Sequence, residues 1–136
     1  MTSAFHYTMN FGLTTESAYP YTAVAGNCPQ GQNGQYKIKM FSEFSMNDCS
    51  NMLEKIDASP LSVGVLVTNE WFSYDSGVFN CPSWVTPSHD VNHAVIAVGY
   101  TSNHDYITQN SWGTSWGDGG FMTFSKNNHC NICKQL

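Results

Sequence analysis

The sequence contains no arginine, and five lysines are its only basic residues apart from histidine. Ten acidic residues leave a net charge of −5 at pH 7. Nucleic-acid binding depends on clustered lysine and arginine that displace counterions from phosphates, and the five lysines form no such cluster. A basic patch suited to a membrane surface is missing for the same reason. We therefore expect neither a nucleic acid nor a membrane as a partner.

Long apolar runs are also missing. No stretch of about 18 apolar residues occurs, so no membrane-spanning helix is expected. Residues 1–10 lack the basic and apolar regions of a secretory signal, so we expect any such signal to lie outside this chain. Charged residues make up only 11% of the sequence and hydrophobic residues 41%, which favours a folded globular chain over a disordered one.

Five cysteines, an odd number, are spread along the 136 residues. Several cysteines in a chain of low charge favour an oxidising compartment, and the odd count leaves one thiol without a partner in this chain. The last two form a Cys-x-x-Cys pair, Cys130 and Cys133. A zinc site of this kind needs four ligands, and a redox pair needs a βαβ unit, so we expect no metal and no cofactor.

The pattern of apolar residues predicts helices over residues 2–11 and 48–57. It predicts strands over five segments: 36–41, 61–67, 93–100, 106–110 and 120–125. Two early helices followed by closely spaced strands indicate an α+β fold rather than a wound α/β sheet. No repeat or linker divides the chain, so one domain over residues 1–136 is expected.

Two short segments carry groups suited to catalysis. His93 begins an apolar strand, and a neutral imidazole is a general base near physiological pH. Asn110 ends a later strand and is followed by Trp112 in the string Asn-Ser-Trp-Gly. An amide oxygen can accept the imidazole N–H, and a tryptophan face can shield that bond from water. These are two parts of a Cys-His-Asn triad.

Around these segments the sequence resembles the C-terminal part of papain-like, cathepsin-type cysteine peptidases. The resemblance runs nearly end to end: Tyr19-Pro20-Tyr21, the segment 76–79, His93-Ala94, Gly99-Tyr100, and the string from Asn110 to Phe121 all follow the family pattern. It implies part of a papain-like fold, with the antiparallel sheet half and part of the helical half. It also implies peptide-bond hydrolysis through a thioester.

The resemblance further implies roles for individual residues. His93 corresponds to the catalytic histidine, Asn110 to the asparagine that orients it, and Trp112 to the tryptophan that covers the pair. Gly64, Asn92 and Ala94 correspond to substrate-binding positions. The implied partners are peptide or protein substrates and, as inhibitors, a propeptide or cystatin-type proteins. A lysosomal, vacuolar or extracellular location is implied as well.

For the cysteines, the resemblance implies a disulfide between Cys81 and Cys130. It also implies that Cys28 pairs with a cysteine upstream of this chain. Cys49 and Cys133 have no counterpart in the family pattern, and two possibilities stay open for them: they pair with each other or remain free thiols.

The family's nucleophile motif, Cys-Gly-[Ser/Ala]-Cys-[Trp/Tyr], does not occur in the sequence. Family spacing from His93 and Asn110 places that cysteine about 40 residues before Met1. We therefore expect this chain to supply only the histidine and asparagine side of a peptidase site and to be inactive alone. The alternative is a non-catalytic remnant that acts as a binding or inhibitory module.

Overall fold

A computed structural model describes residues 1–27, 34–44, 49, 51–127 and 129–134. Cys28 and part of the predicted helix over 48–57 lie outside the described residues. The chain divides into two units, Met1–Glu43 and Phe44–Leu136. Helices and strands together confirm the predicted α+β class. The single domain over residues 1–136 stays a prediction.

In the first unit, helix α1 (Thr2–Asn10) confirms the predicted helix. It ends before Gly12, whose φ of +78° lies in the left-handed region that favours glycine. Phe5 stacks on Phe41 with ring centroids 5.3 Å apart. The predicted strand over 36–41 is wrong, because an isolated bridge between Tyr36 and Leu13 is all the β-pairing found there within the described ranges. Alternation alone does not make a strand when no neighbouring strand pairs with it.

The second unit begins its regular structure with helix α2 (Met52–Ala58), which buries Met52 and Ile56. A short 3-10 helix spans Asn69–Ser73 and buries Trp71. The strands are β1 (Leu61–Val65), β2 (Val78–Phe79), β3 (His93–Tyr100), β4 (Tyr106–Gln109) and β5 (Phe121–Phe124).

These strands form one sheet in the order β1-β3-β4-β5-β2. The pairs β1–β3, β3–β4 and β4–β5 are antiparallel, whereas β2 runs parallel to β5. Strand β3 has the predicted bounds. Strand β1 stops two residues early, since the backbone of Val67 hydrogen-bonds to the Asn92 side chain instead of a neighbouring strand.

The core of this unit lies against the sheet. Trp71 and Phe124 are fully buried, with ring centroids 5.2 Å apart, and Val63 and Met122 are buried on β1 and β5. Disulfides join Cys81 to Cys130 and Cys49 to Cys133. Within the described ranges, no helix has the length and apolar character needed to cross a membrane.

We predict that Phe124→Ala lowers the free energy of unfolding by about 3–5 kcal/mol, because it leaves a cavity in the core. Phe72→Ala is the matched control, since 69% of Phe72 is exposed; its cost should be about 1 kcal/mol or less. Urea titrations followed by tryptophan fluorescence measure both values. Equal losses for the two variants would contradict this placement of the core.

Candidate active site

The β3–β4 pairing brings His93 and Asn110 together. In this antiparallel pair Ile96 lies opposite Gln109, so the residue that follows β4 lies beside the beginning of β3. His93 is the first residue of β3 and Asn110 directly follows β4. The His93 Nε2 and Asn110 Oδ1 atoms lie 2.8 Å apart, although 17 positions separate the residues. This distance is that of a hydrogen bond.

The contacts of Asn110 determine which atom of the pair donates. The backbone N–H of Ser111 donates to Asn110 Oδ1 at 2.8 Å, which identifies that atom as the amide oxygen. An amide oxygen only accepts hydrogen bonds, so His93 Nε2 must carry the proton. In the neutral ring, the lone pair is then on Nδ1. The arrangement thus fixes the tautomer in which Nδ1 is the base.

A loop rich in glycine positions Asn110. The Asn110 backbone N–H donates to the carbonyl of Gly120 at 2.9 Å, closing the loop between them. Gly113 and Gly120 have φ values of +88° and +95°, a region of backbone conformation that residues other than glycine rarely adopt. Asn110 Nδ2 is buried, and none of the described residues offers it an acceptor.

Aromatic rings surround the His93 imidazole. The Trp112 ring lies 5.4 Å from it between centroids, and Trp71 approaches it edge-on at 6.2 Å. Phe72 stacks on Trp112 at 5.3 Å with nearly parallel planes. The Trp116 indole N–H donates to the Trp71 carbonyl at 3.0 Å, which ties the two tryptophan segments together. Apolar rings here limit the access of water to the hydrogen bond between His93 and Asn110.

Sequence reasoning assigned Trp112 a role but missed Phe72 and Trp71. The signal that could have found them is the aromatic segment 71–74, which lies far from His93 in the sequence. The 3-10 helix over Asn69–Ser73 places the rings of Trp71 and Phe72 against Trp112, and the sequence alone does not reveal this contact.

The three predicted substrate-binding positions lie next to His93. Gly64 pairs with Ala94 across β1 and β3, and Val65 pairs with His93 itself. The Asn92 side chain is occupied otherwise: it accepts from the Val67 N–H at 2.8 Å and donates to the Val67 carbonyl at 3.3 Å. Asn92 therefore holds the end of β1 beside His93, while Ala94 is exposed.

The segment 82–90, which precedes His93, is held by the C-terminal segment. Asn131 Nδ2 donates to the carbonyls of Thr86 and His89 at 3.0 and 2.9 Å. Asn131 has a φ of +62°, in the left-handed region that asparagine tolerates better than most residues. A hydrogen bond from the Lys134 ammonium, 2.9 Å from the carboxylate, holds the pKa of Asp90 below its ordinary value.

Comparison with known proteins identifies the family of the chain. The family described as papain family cysteine protease matches residues 1–136. A cathepsin L-like proteinase of Fasciola hepatica is 37% identical over 144 residues, covering 97% of this chain and 42% of that protein. Among solved structures, the bromelain protease of Ananas comosus in complex with the E64 inhibitor superposes with a TM-score of 0.80. It is 31% identical, and the match covers 97% of this chain and 65% of bromelain.

Digestive procathepsin L2 proteinase of Tenebrio molitor superposes with a TM-score of 0.85 at 28% identity, over 99% of this chain and 45% of that one. The chain therefore belongs to the papain family of cysteine proteases. It spans about two fifths of the length of the curated relatives that it matches.

We predict that neutral His93 carries its proton on Nε2, because Asn110 Oδ1 can only accept. Long-range proton–nitrogen NMR spectra of the neutral imidazole, recorded at alkaline pH, distinguish the two tautomers. Asn110→Ala should remove the preference, whereas Gln109→Ala, which alters the exposed neighbouring amide, should leave it intact. A proton on Nδ1 in the unsubstituted chain would contradict the assigned pairing.

Proposed function

We propose that this chain supplies the acid–base half of a cysteine peptidase site, with His93 as the base and Asn110 as the residue that orients it. The observation that carries the proposal is the 2.8 Å bond from His93 Nε2 to Asn110 Oδ1, flanked by the Trp112 ring. Papain-family membership supports it. The nucleophilic cysteine comes from a segment outside these 136 residues.

The cysteines of the chain support an outside nucleophile. Cys49, Cys81, Cys130 and Cys133 are joined in two disulfides, and a disulfide sulfur is not a thiolate. The remaining cysteine, Cys28, lies outside the described residues. The sequence around it does not form the motif that marks the family's nucleophile. We therefore propose that another part of the protein brings the thiol that reaches His93 Nδ1.

The reaction follows from the fixed tautomer. His93 Nδ1 takes the proton of the cysteine thiol and forms a thiolate–imidazolium pair. The Nε2–H bond to Asn110 keeps the ring oriented while it carries the charge. The thiolate attacks the peptide carbonyl, and Nδ1–H protonates the leaving amine, giving a thioester. His93 then takes a proton from water, which hydrolyses the thioester and restores the thiol.

Substrates, inhibitors and compartment follow from the same proposal. Gly64 and Ala94, paired beside His93, form part of the floor on which a peptide lies. Propeptide segments and cystatin-type proteins would bind the same site as inhibitors. The two disulfides favour an oxidising setting, so we propose a lysosomal, vacuolar or extracellular location.

The direct test uses the longest contiguous protein that contains this sequence, with an epoxide inhibitor of the E64 type as a covalent probe. We expect labelling of a cysteine upstream of Met1 within a Cys-Gly-Ser-Cys-Trp-like motif. His93→Ala should slow labelling by about 10²–10⁴-fold, because general-base catalysis contributes that much. The 136-residue chain by itself should not be labelled.

His104→Ala is the matched control, because His104 is exposed and forms its ring contact with Tyr100. Its labelling rate should equal that of the unsubstituted protein. A contiguous transcript that lacks the cysteine motif, or labelling of the 136-residue chain at one of its own cysteines, would contradict the proposal. The first result would favour the non-catalytic binding module.

A further inference from the structure

A second cluster of reactive side chains lies in the unit 44–136 and has no part in the proposed reaction. Cys49, His129 and Cys133 each direct a potential ligand atom toward the others, and these atoms all lie within 4.8 Å of one another. The Cys49 Sγ and His129 Nε2 atoms are 3.5 Å apart. Cys49 and Cys133 form a disulfide. We call these three residues the Cys49 cluster.

We propose that reduction of this disulfide turns the Cys49 cluster into a zinc site, with both sulfurs and His129 Nε2 as ligands and solvent as the fourth. Two thiolates and one imidazole form a donor set that zinc accepts with one position left open. Sulfur and imidazole ligands select this ion over calcium or magnesium, which prefer oxygen. The cluster thus binds a metal only in its reduced state.

The distances fit a tetrahedral ion. With Zn–S bonds of about 2.3 Å and Zn–N bonds of about 2.0–2.1 Å, a tetrahedral site separates sulfur from nitrogen by about 3.5 Å. The Cys49 Sγ and His129 Nε2 atoms already have that separation. The two sulfurs must move apart to about 3.8 Å once their bond is broken, which a side-chain rotation at either cysteine allows.

The burial and the charge of the Cys49 cluster are also consistent with a zinc site. Cys133 is 3% exposed, while Cys49 and His129 are partly exposed. A reductant and a metal ion therefore approach from the side of Cys49 and His129. A zinc ion with two thiolates has no net charge, so the buried sulfur of Cys133 is not left as an unpaired anion. The Met52 thioether, 3.7 Å from Cys133 Sγ, adds a polarisable neighbour on the buried side.

The chemistry balances with a dithiol as reductant. The dithiol gives two electrons to the disulfide, so the bond between Cys49 and Cys133 breaks and a disulfide forms within the reductant. The two protons of the dithiol pass to the cysteine sulfurs. Zinc then replaces those two protons and forms two Zn–S bonds and one bond to His129 Nε2.

The disulfide and the proposed zinc site both connect the same two segments of the unit 44–136. Cys49 precedes α2, and Cys133 lies in the C-terminal segment that holds residues 82–90 before His93. The disulfide links the two covalently, and the zinc ion would link them through the same sulfurs. Sequence reasoning missed the site because the Cys-x-x-Cys pair lacks a second pair nearby. Cys49 reaches it only through the fold, 84 positions away from Cys133.

The test uses the 136-residue chain reduced with dithiothreitol and desalted without oxygen. We expect one equivalent of zinc per reduced chain, measured by competition with a chromogenic chelator, and none in the oxidised chain. Cobalt in place of zinc should give the intense near-ultraviolet band of thiolate ligation. His129→Ala and Cys133→Ser should each weaken binding at least about 100-fold.

The control variant is Cys81→Ser with Cys130→Ser, which removes the other disulfide and should leave the zinc stoichiometry unchanged. Far-ultraviolet circular dichroism of the same samples reports whether each reduced chain is folded. Binding that survives both His129→Ala and Cys133→Ser, or no binding by a folded reduced chain, would overturn the proposal. A reduced chain that is unfolded and does not regain its spectrum with zinc would overturn it as well.

Discussion

The antiparallel pairing of β3 with β4 is the constraint on which the site depends. It places the beginning of one strand beside the end of the other, and so brings His93 within 2.8 Å of Asn110. The alternating burial along these strands, with Val95, Ala97 and Thr108 inside, fixes the register. A slip by one residue would turn these side chains to solvent, so the core itself holds His93 beside Asn110.

The aromatic side chains around His93 and Asn110 strengthen the hydrogen bond between them. A hydrogen bond in a medium of low polarity is electrostatically stronger than one in water, and the rings of Trp112 and Trp71 provide that medium around His93. Behind them, Trp71 also packs on Phe124 in the core. The same tryptophan therefore belongs to the folding core and to the wall of the site.

The sequence predicted those helices and strands whose local pattern of apolar residues matches the contacts that they make in the folded chain. The Val, Ile and Ala run from His93 to Tyr100 gave β3 its bounds, and the apolar face of residues 2–11 gave α1. The strand predicted over 36–41 failed, because alternation says nothing about whether a partner strand is present. The parallel pairing of β2 with β5 could not be predicted either, because pairing between distant segments leaves no local signal in the sequence.

The site could be predicted only in part for related reasons. Family motifs located His93, Asn110 and Trp112, but the motifs could not show which imidazole nitrogen faces the amide. That assignment needs the contact of Ser111 with Asn110 Oδ1. The contribution of Phe72 and the assembly of Cys49 with His129 arise from folding of distant segments. Both are properties of the three-dimensional arrangement rather than of any motif.

We propose that Asn110 acts on the peptidase reaction through His93. A double-mutant cycle on the rate of cysteine alkylation in the longest contiguous protein tests it most directly, with the variants His93→Ala, Asn110→Ala and both together. If Asn110 works by orienting the imidazole, its substitution slows alkylation in the unsubstituted protein and has no further effect once His93 is alanine. Independent, multiplying effects of the two substitutions would show that Asn110 does not act through His93.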